Sequence, residues 1–339
     1  MRVAVAHGDL GPWDGSSRYI ADVAALFAEH GHEVSLICRG CTRELSSGLV
    51  PRHPEELAAD ERFDLLYGSD LELLAVLQPR AERFFYAPLD VLASSPERER
   101  WALQQCDRIF RFTSASVDIL ERTYGMELHA KSVISVYVSR AFEDLAEPHW
   151  SRPTPPELLW VGRLIDTKNV AFLIRAVALL QSPSWRLVLV GDGPERPALE
   201  KQVEDGGLAE RVQFVGHALE SSPYFKSASL FLTASTSEHY SLTLMEAAAH
   251  GVPCIGLAPD GSEVFNACDE QILDGFSGFL VSDEEQMARC IDRLLNDESA
   301  REAMARRTWQ RKMDEFTAAH FWGELQSAFS KVLRGAAES

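Results

Sequence analysis

Short apolar runs alternate with longer amphipathic stretches through the first half of the chain. Val3 to Ala6 reads as a strand, and Ser16 to Glu29 carries Ile20, Val23, Ala24 and Phe27 at helical spacing. Gly31 closes that helix and Glu33 to Cys38 is the next strand. Further short strands are predicted at Leu65–Tyr67, Phe84–Tyr86, Ile109–Phe112 and Val133–Val136, most of them separated by helical stretches. Such alternation predicts an α/β fold with a parallel sheet covered on both faces.

Between Glu147 and Glu157 the pattern breaks, with Pro148, Pro153, Pro155 and Pro156 among polar residues. Prolines at that density suit neither a helix interior nor a central strand, so the segment reads as a linker. A second α/β pattern starts at Leu158–Gly162 and continues through strands at Arg186–Val190, Val212–Val215, Leu230–Thr233 and Pro253–Leu257. Arg301 to Leu333 reads as helical throughout, with Phe316, Phe321, Trp322, Leu325, Phe329 and Val332 as its apolar series. The expected organisation is a first domain over 1–150, a second over 151–315, and a helix over 316–339 that returns to the first. Two doubly wound domains would present strand carboxyl ends to a shared cleft.

Composition narrows the function. The 339 residues include 46% hydrophobic and 25% charged positions, which is globular usage. A formal charge of −18 argues against a nucleic-acid backbone as the main partner, because that binding needs clustered Lys and Arg. It also disfavours adsorption to anionic lipid. No apolar run reaches the roughly 20 residues of a membrane span, and the opening residues read as a first strand instead of a secretory signal. With six cysteines in this length, a reducing cytoplasm is the expected location. Cys38 and Cys41 form a C-x-x-C with no second pair at zinc spacing, so they read as two thiols at a strand end.

Three segments of the second half repeat one logic, in which a strand leads through a turn into a helix N-terminus. Val161-Gly162-Arg163-Leu164 is followed by Asp166-Thr167-Lys168-Asn169, placing two cations around a helix entry that already favours anions. Taken alone, an exposed Arg and Lys on a loop are more often merely solvated. Val190-Gly191-Asp192-Gly193-Pro194 lacks the third glycine of a dinucleotide fingerprint and reads as architecture. The third segment, Ser237 to Ala247, puts Glu238 before a helix and Glu246 one turn inside it, with the amides of Ser241 and Leu242 available to phosphate oxygens.

Together these residues resemble the C-terminal half of the family-4 retaining glycosyltransferases, which share the two-domain GT-B fold. The resemblance rests on Gly162-Arg163 with Lys168, Gly191-Asp192-Gly193-Pro194, Phe214-Val215-Gly216, Glu238 and Glu246 with seven residues between, Gly251-Val252-Pro253 and Gly278-Phe279-Leu280-Val281. It covers roughly Leu158 to Asp283. It implies that Arg163 and Lys168 stabilise a leaving diphosphate in place of a divalent metal, in agreement with the absence of any D-x-D sequence. It implies also that Glu246 binds the nucleotide ribose, that Glu238 faces donor-sugar hydroxyls, that His239 lies beside them, and that backbone near Val215 and Gly216 borders the base. No cofactor is implied beyond the nucleotide diphosphate sugar itself, with a UDP-sugar favoured as donor.

The first domain matches this family less closely. Gly15 and Ser16 resemble its glycine-rich loop, with Asp14 where a glycine is usual, and Tyr86 stands where the family often has a histidine. A tyrosine is a poor proton acceptor, its ordinary pKa being about 10. His7 and Asp90 are the other acceptor-side candidates by position, and His250 fits a cation at a helix C-terminus. The expected function is a metal-independent, retaining hexosyl transfer to a glycan, natural-product or lipid-linked acceptor. The alternatives are a chain that binds sugar nucleotide without turnover, or a sugar-nucleotide epimerase.

Overall fold

The computed structural model describes residues 1–11, 15–42, 48–89, 95–135, 137, 145–150, 152–238 and 240–335, with side chains to 331. The chain divides into two units, Met1–Arg140 with Thr317–Ser339, and Ala141–Phe316.

The first unit holds a six-stranded parallel sheet of β1 (Arg2–Ala6), β2 (Glu33–Ile37), β3 (Phe63–Gly68), β4 (Ala81–Tyr86), β5 (Arg108–Arg111) and β6 (Ser132–Ile134). Its order is β2-β1-β3-β4-β5-β6, with Val3 between Val34 and Leu65. The chain steps outward from β1 to β2 and then crosses back to β3, so the strand order reverses between β1 and β3. Helices α1 (Gly15–Glu29), α2 (Leu71–Leu77), α3 (Pro96–Gln105) and α4 (Ser114–Tyr124) cover the sheet. Ala4, Ala6, Leu66, Phe84 and Ile109 of the strands are buried with Leu74, Leu77, Leu103 and Leu120 of the helices. The strands are apolar on both sides because both faces are covered.

The second unit repeats the plan with β7 (Glu157–Val161), β8 (Arg186–Val190), β9 (Val212–Gly216), β10 (Ala228–Thr233), β11 (Cys254–Leu257) and β12 (Gly278–Val281), in the order β9-β8-β7-β10-β11-β12. All pairs are parallel. Its helices are α5 (Val170–Ala178), α6 (Arg196–Asp205), α7 (Ser222–Ser227), α8 (Leu242–Ala249), α9 (Cys268–Gln271), α10 (Glu284–Asn296) and α11 (Glu298–Glu315). β12 was legible only as a motif in the sequence, its four residues being too few for a periodic signal.

Two boundaries differ from the sequence reading. The first unit ends at Arg140 instead of 150, because the proline-containing segment packs on the second unit. Trp150 lies under the Arg306 guanidinium and edge-on to Trp309, while Arg152 donates to the carbonyls of Lys226 and His250. The tail is two helices, since α11 stops at Glu315 and α12 runs Ala318–Gly335. Thr317 separates them, its hydroxyl accepting from the His320 amide as a new helix cap. The aromatic series then packs on the first unit, where Phe321 meets Tyr19 edge-on, Trp322 meets Phe27, and Phe329 stacks on Phe85.

Candidate active site

In the second unit two loops at strand carboxyl ends come together. After β7 the chain turns through Gly162, whose amide donates to the Val190 carbonyl at 3.0 Å, and Leu164 donates to Asp192 at 2.9 Å. Gly191 at φ +135° allows this approach, since a β-carbon there would stand 1.7 Å from the Gly162 carbonyl oxygen. A β-carbon at Gly193 would stand 2.3 Å from the Leu164 carbonyl oxygen. The G-x-G after β8 is thus the floor on which the Arg163 loop rests. Arg163 is exposed and makes no ion pair among the described residues, and Lys168 closes the short helical turn Asp166–Lys168 that precedes α5.

The second loop follows β10. Its backbone is tied to the first by the Thr236 amide, which donates to the Thr167 carbonyl at 2.9 Å. Side chains repeat the link, Lys168 forming an ion pair with Glu238. Buried Asn266 donates to the carbonyls of Ser235 at 2.7 Å and Leu257 at 2.9 Å. Buried Gln271 takes the Ser241 amide at 2.8 Å and donates to the Ser241 carbonyl at 2.9 Å. Asn266 and Gln271 hold the loop from beneath. Neither was singled out in the sequence, where Asn266 stands between apolar Phe265 and Ala267 but Gln271 follows two acidic residues and carries no such flag.

Gln271 corrects one expectation. The Ser241 amide, read as free for phosphate, is committed to that side chain, and the Ser241 hydroxyl caps α8 by accepting from the Leu244 amide. Leu242 is the half-buried first residue of the helix. Glu246 is buried and accepts from the Ser221 hydroxyl at 2.7 Å. Val215 is half-buried, and Gly216, at φ +81°, accepts the Gly191 amide at 2.8 Å. His239 lies outside the described residues. His250 is no helix-terminal cation, because burial lowers its pKa below the ordinary histidine value. It sits between the Glu246 carbonyl and the Ser222 hydroxyl as part of the packing.

The first unit gathers a different set. His7, Ser16 and Tyr86 line one cavity of about 480 Å³ at the carboxyl ends of β1, β3 and β4. Gly15 opens α1 beside it, while Asp14 and Asp90 lie outside the described residues. The His7 Nδ1 is 2.7 Å from the Ser69 hydroxyl. Tyr86 is buried and donates to Glu99 at 3.1 Å, with burial foremost and the Glu99 carboxyl next in holding its pKa far above the usual tyrosine value. It is therefore a neutral donor already in use. Asp9, Arg39, Asp70, Glu72, Arg98 and Glu99 also line the cavity, and the sequence reading missed all six. The available signal was position, since Asp70 and Glu72 follow β3 at a place where α/β sheets bind ligands.

Residues 155–297 match the family model described as Glycosyl transferases group 1. Among curated proteins, the lipopolysaccharide core biosynthesis glycosyltransferase LpsE of Rhizobium meliloti is 31% identical over 164 residues, 48% of this chain and 46% of that protein. The N-acetyl-alpha-D-glucosaminyl L-malate synthase of Bacillus anthracis is 26% identical over 260 residues, 73% of this chain and 66% of that protein. The aligned part thus spans from about half to about two thirds of these relatives. Among solved structures, Anabaena HepE in complex with UDP and glucose superposes with a TM-score of 0.73 at 16% identity, over 98% of this chain and 100% of that one. The fold is GT-B, with two parallel-sheet α/β units. No helix among the described residues is long and apolar enough to cross a membrane. Residues 155–297 of this chain are a group 1 glycosyltransferase domain.

Proposed function

We propose that the chain is a family-4, retaining glycosyltransferase that moves a hexosyl group from a nucleotide diphosphate sugar, a UDP-sugar first among them, without a metal. The observation that carries this reading is the stapling of a cationic loop, Arg163 and Lys168, to an acidic one holding Glu238. The UDP-bound relative and the group 1 domain support it. Arg163 and Lys168 would meet the charge that develops on the departing diphosphate, where fixed cations contribute most. The ion pair gives Lys168 two alternative partners. With the site empty it holds Glu238, and with diphosphate bound it turns to phosphate and releases Glu238 to the sugar hydroxyls. Glu246 would take the ribose, with backbone at Val215, Gly216 and Leu242 alongside. Ser16 and Gly15 would approach the donor from the first unit, where His7 marks the acceptor side. Cytoplasmic placement belongs to the same proposal.

One observation favours the alternative of binding without turnover, namely that the Tyr86 hydroxyl is spent on Glu99 and leaves no base at that position. Front-face transfer does not need one there, because the donor phosphate can take the acceptor proton.

Midpoints of thermal unfolding with UDP, GDP, dTDP and ADP, each with and without chelator, provide the test. A nucleotide at a hundred times its Kd adds about 2.7 kcal/mol. One nucleotide is expected to shift the midpoint in a chelator-insensitive way. Glu238→Gln is expected to reduce turnover at least about tenfold while UDP affinity holds or rises, because Lys168 is freed. Glu246→Ala should weaken UDP itself by about 1–3 kcal/mol, the loss of a charged hydrogen bond. Equal weakening of UDP by both substitutions sinks the assignment of roles, and UDP binding with no transfer to any acceptor favours the alternative.

A further inference from the structure

The cavity of the first unit lies where its strand order reverses, between β1 and β3, and its chemistry is uneven. Four carboxyl groups, those of Asp9, Asp70, Glu72 and Glu99, face two guanidinium groups, those of Arg39 and Arg98. Both arginines are engaged. Arg39 bonds Asp70 at 2.8 Å and Glu72 at 3.0 Å, and Arg98 bonds the other oxygen of Glu72 at 2.5 Å. The result is a ladder, Asp70–Arg39–Glu72–Arg98, along one side of the cavity. Asp70 is also fixed from below, since its Oδ1 accepts the amides of Glu72 and Leu73 at the start of α2.

Such a ladder offers alternating acceptors and donors at hydrogen-bond spacing. A hydroxyl both donates and accepts, so neighbouring ring hydroxyls can satisfy a carboxylate and a guanidinium together. An anion fares worse. Arg98 has further N–H donors beyond the one on Glu72, but an anion that takes them enters a cavity whose four carboxyl groups outnumber its two guanidinium groups and repel it. An amine would meet the excess of carboxyl groups directly.

We propose that this cavity binds a non-anionic polyol, a sugar ring carrying neighbouring hydroxyls or an amine in place of one, and rejects its carboxylated and phosphorylated counterparts. Its role as the acceptor subsite rests on the transferase reading above, whereas the binding itself does not. Glu72 is the specificity-determining residue, because it alone joins both arginines.

Ligand-observed NMR saturation transfer on the full chain with saturating UDP tests the proposal, using methyl glucoside, methyl glucosaminide, methyl glucuronide and glucose 6-phosphate. The first two are expected to receive saturation, and the two anions to bind roughly tenfold more weakly or not at all, a difference of about 1.4 kcal/mol. Glu72→Gln should remove the preference for amine over hydroxyl and let the glucuronide in. Equal binding of the anions to the unaltered protein overturns the proposal, as does an unchanged ligand ranking in Glu72→Gln. Silence from all four ligands while UDP binds also overturns it and leaves the donor site standing. Failure of UDP alone strikes the transferase reading and not the polyol site.

Discussion

At the scale of single residues, the candidate donor site depends on atoms that are missing. Gly191 occupies a backbone region that L side chains rarely adopt, and its hydrogen stands where a β-carbon would collide with the Gly162 carbonyl. Gly207 has a positive φ as well, but nothing lies within 4 Å of its would-be β-carbon. The two glycines separate strain from collision. Gly207→Ala should cost about 1–2 kcal/mol, the ordinary left-handed penalty. Gly191→Ala should cost more than about 3 kcal/mol in urea unfolding and weaken UDP binding, because the Arg163 loop must lift from its floor. If the two variants unfold alike, the packing of the G-x-G against that loop contributes nothing. The architectural reading of this G-x-G was available from the sequence, since it lacks the third glycine. That its partner is the Arg163 loop was not, because a loop-to-loop approach leaves no periodic trace.

Among elements, the end of α4 shows how polar side chains terminate a helix. Gly125 takes the left-handed position after Tyr124, and the Glu121 carboxylate then accepts the Leu128 and His129 amides. His129 Nε2 closes the motif on Asp118 at 2.7 Å. The Asp118 hydrogen bond, with a smaller attraction from Glu121, raises the His129 pKa above the ordinary value of about 6.5. A raised histidine pKa means that the folded form holds the proton more tightly. The contribution to stability is thus complete below about pH 6.5 and is lost as pH rises through the folded midpoint. NMR titration of the His129 ring is expected to show a midpoint above 6.5, returning to the ordinary value in Asp118→Asn. A midpoint indifferent to that substitution removes Asp118 as the cause.

At the scale of the whole molecule, the first unit is discontinuous in sequence. Its core is completed by α12, nearly two hundred residues after β6. Phe321 is buried against Tyr19 and Tyr137, with ring centroids 5.9 and 6.0 Å away. Phe321→Ala should destabilise this unit by about 3–5 kcal/mol, as deletion of a buried aromatic does. Hydrogen exchange should quicken in α1, whose Tyr19 loses its cover. Unchanged protection there is incompatible with α12 as part of that core.

What the sequence by itself determined is what local chemistry specifies. Apolar runs at strand length, turn glycines and helical spacing fixed the α/β class and most strands of the two six-stranded sheets, and clustered motifs marked Arg163, Lys168, Glu238 and Glu246 as candidates, of which Lys168 and Glu238 meet in an ion pair. Arg163, Lys168 and Glu238 lie within seven residues of a strand end, and Glu246 follows on the next helix, so the signals fall in short segments. The tertiary structure alone decided which groups are already engaged. Gln271 takes the Ser241 amide, Glu99 takes the Tyr86 hydroxyl, burial keeps His250 from serving as a cation, and Asp70 and Glu72 line up with Arg39 and Arg98. A hydrogen bond between residues thirty positions apart, or a charge buried by a neighbouring helix, depends on distance in space, and the order of residues along the chain does not encode that distance locally.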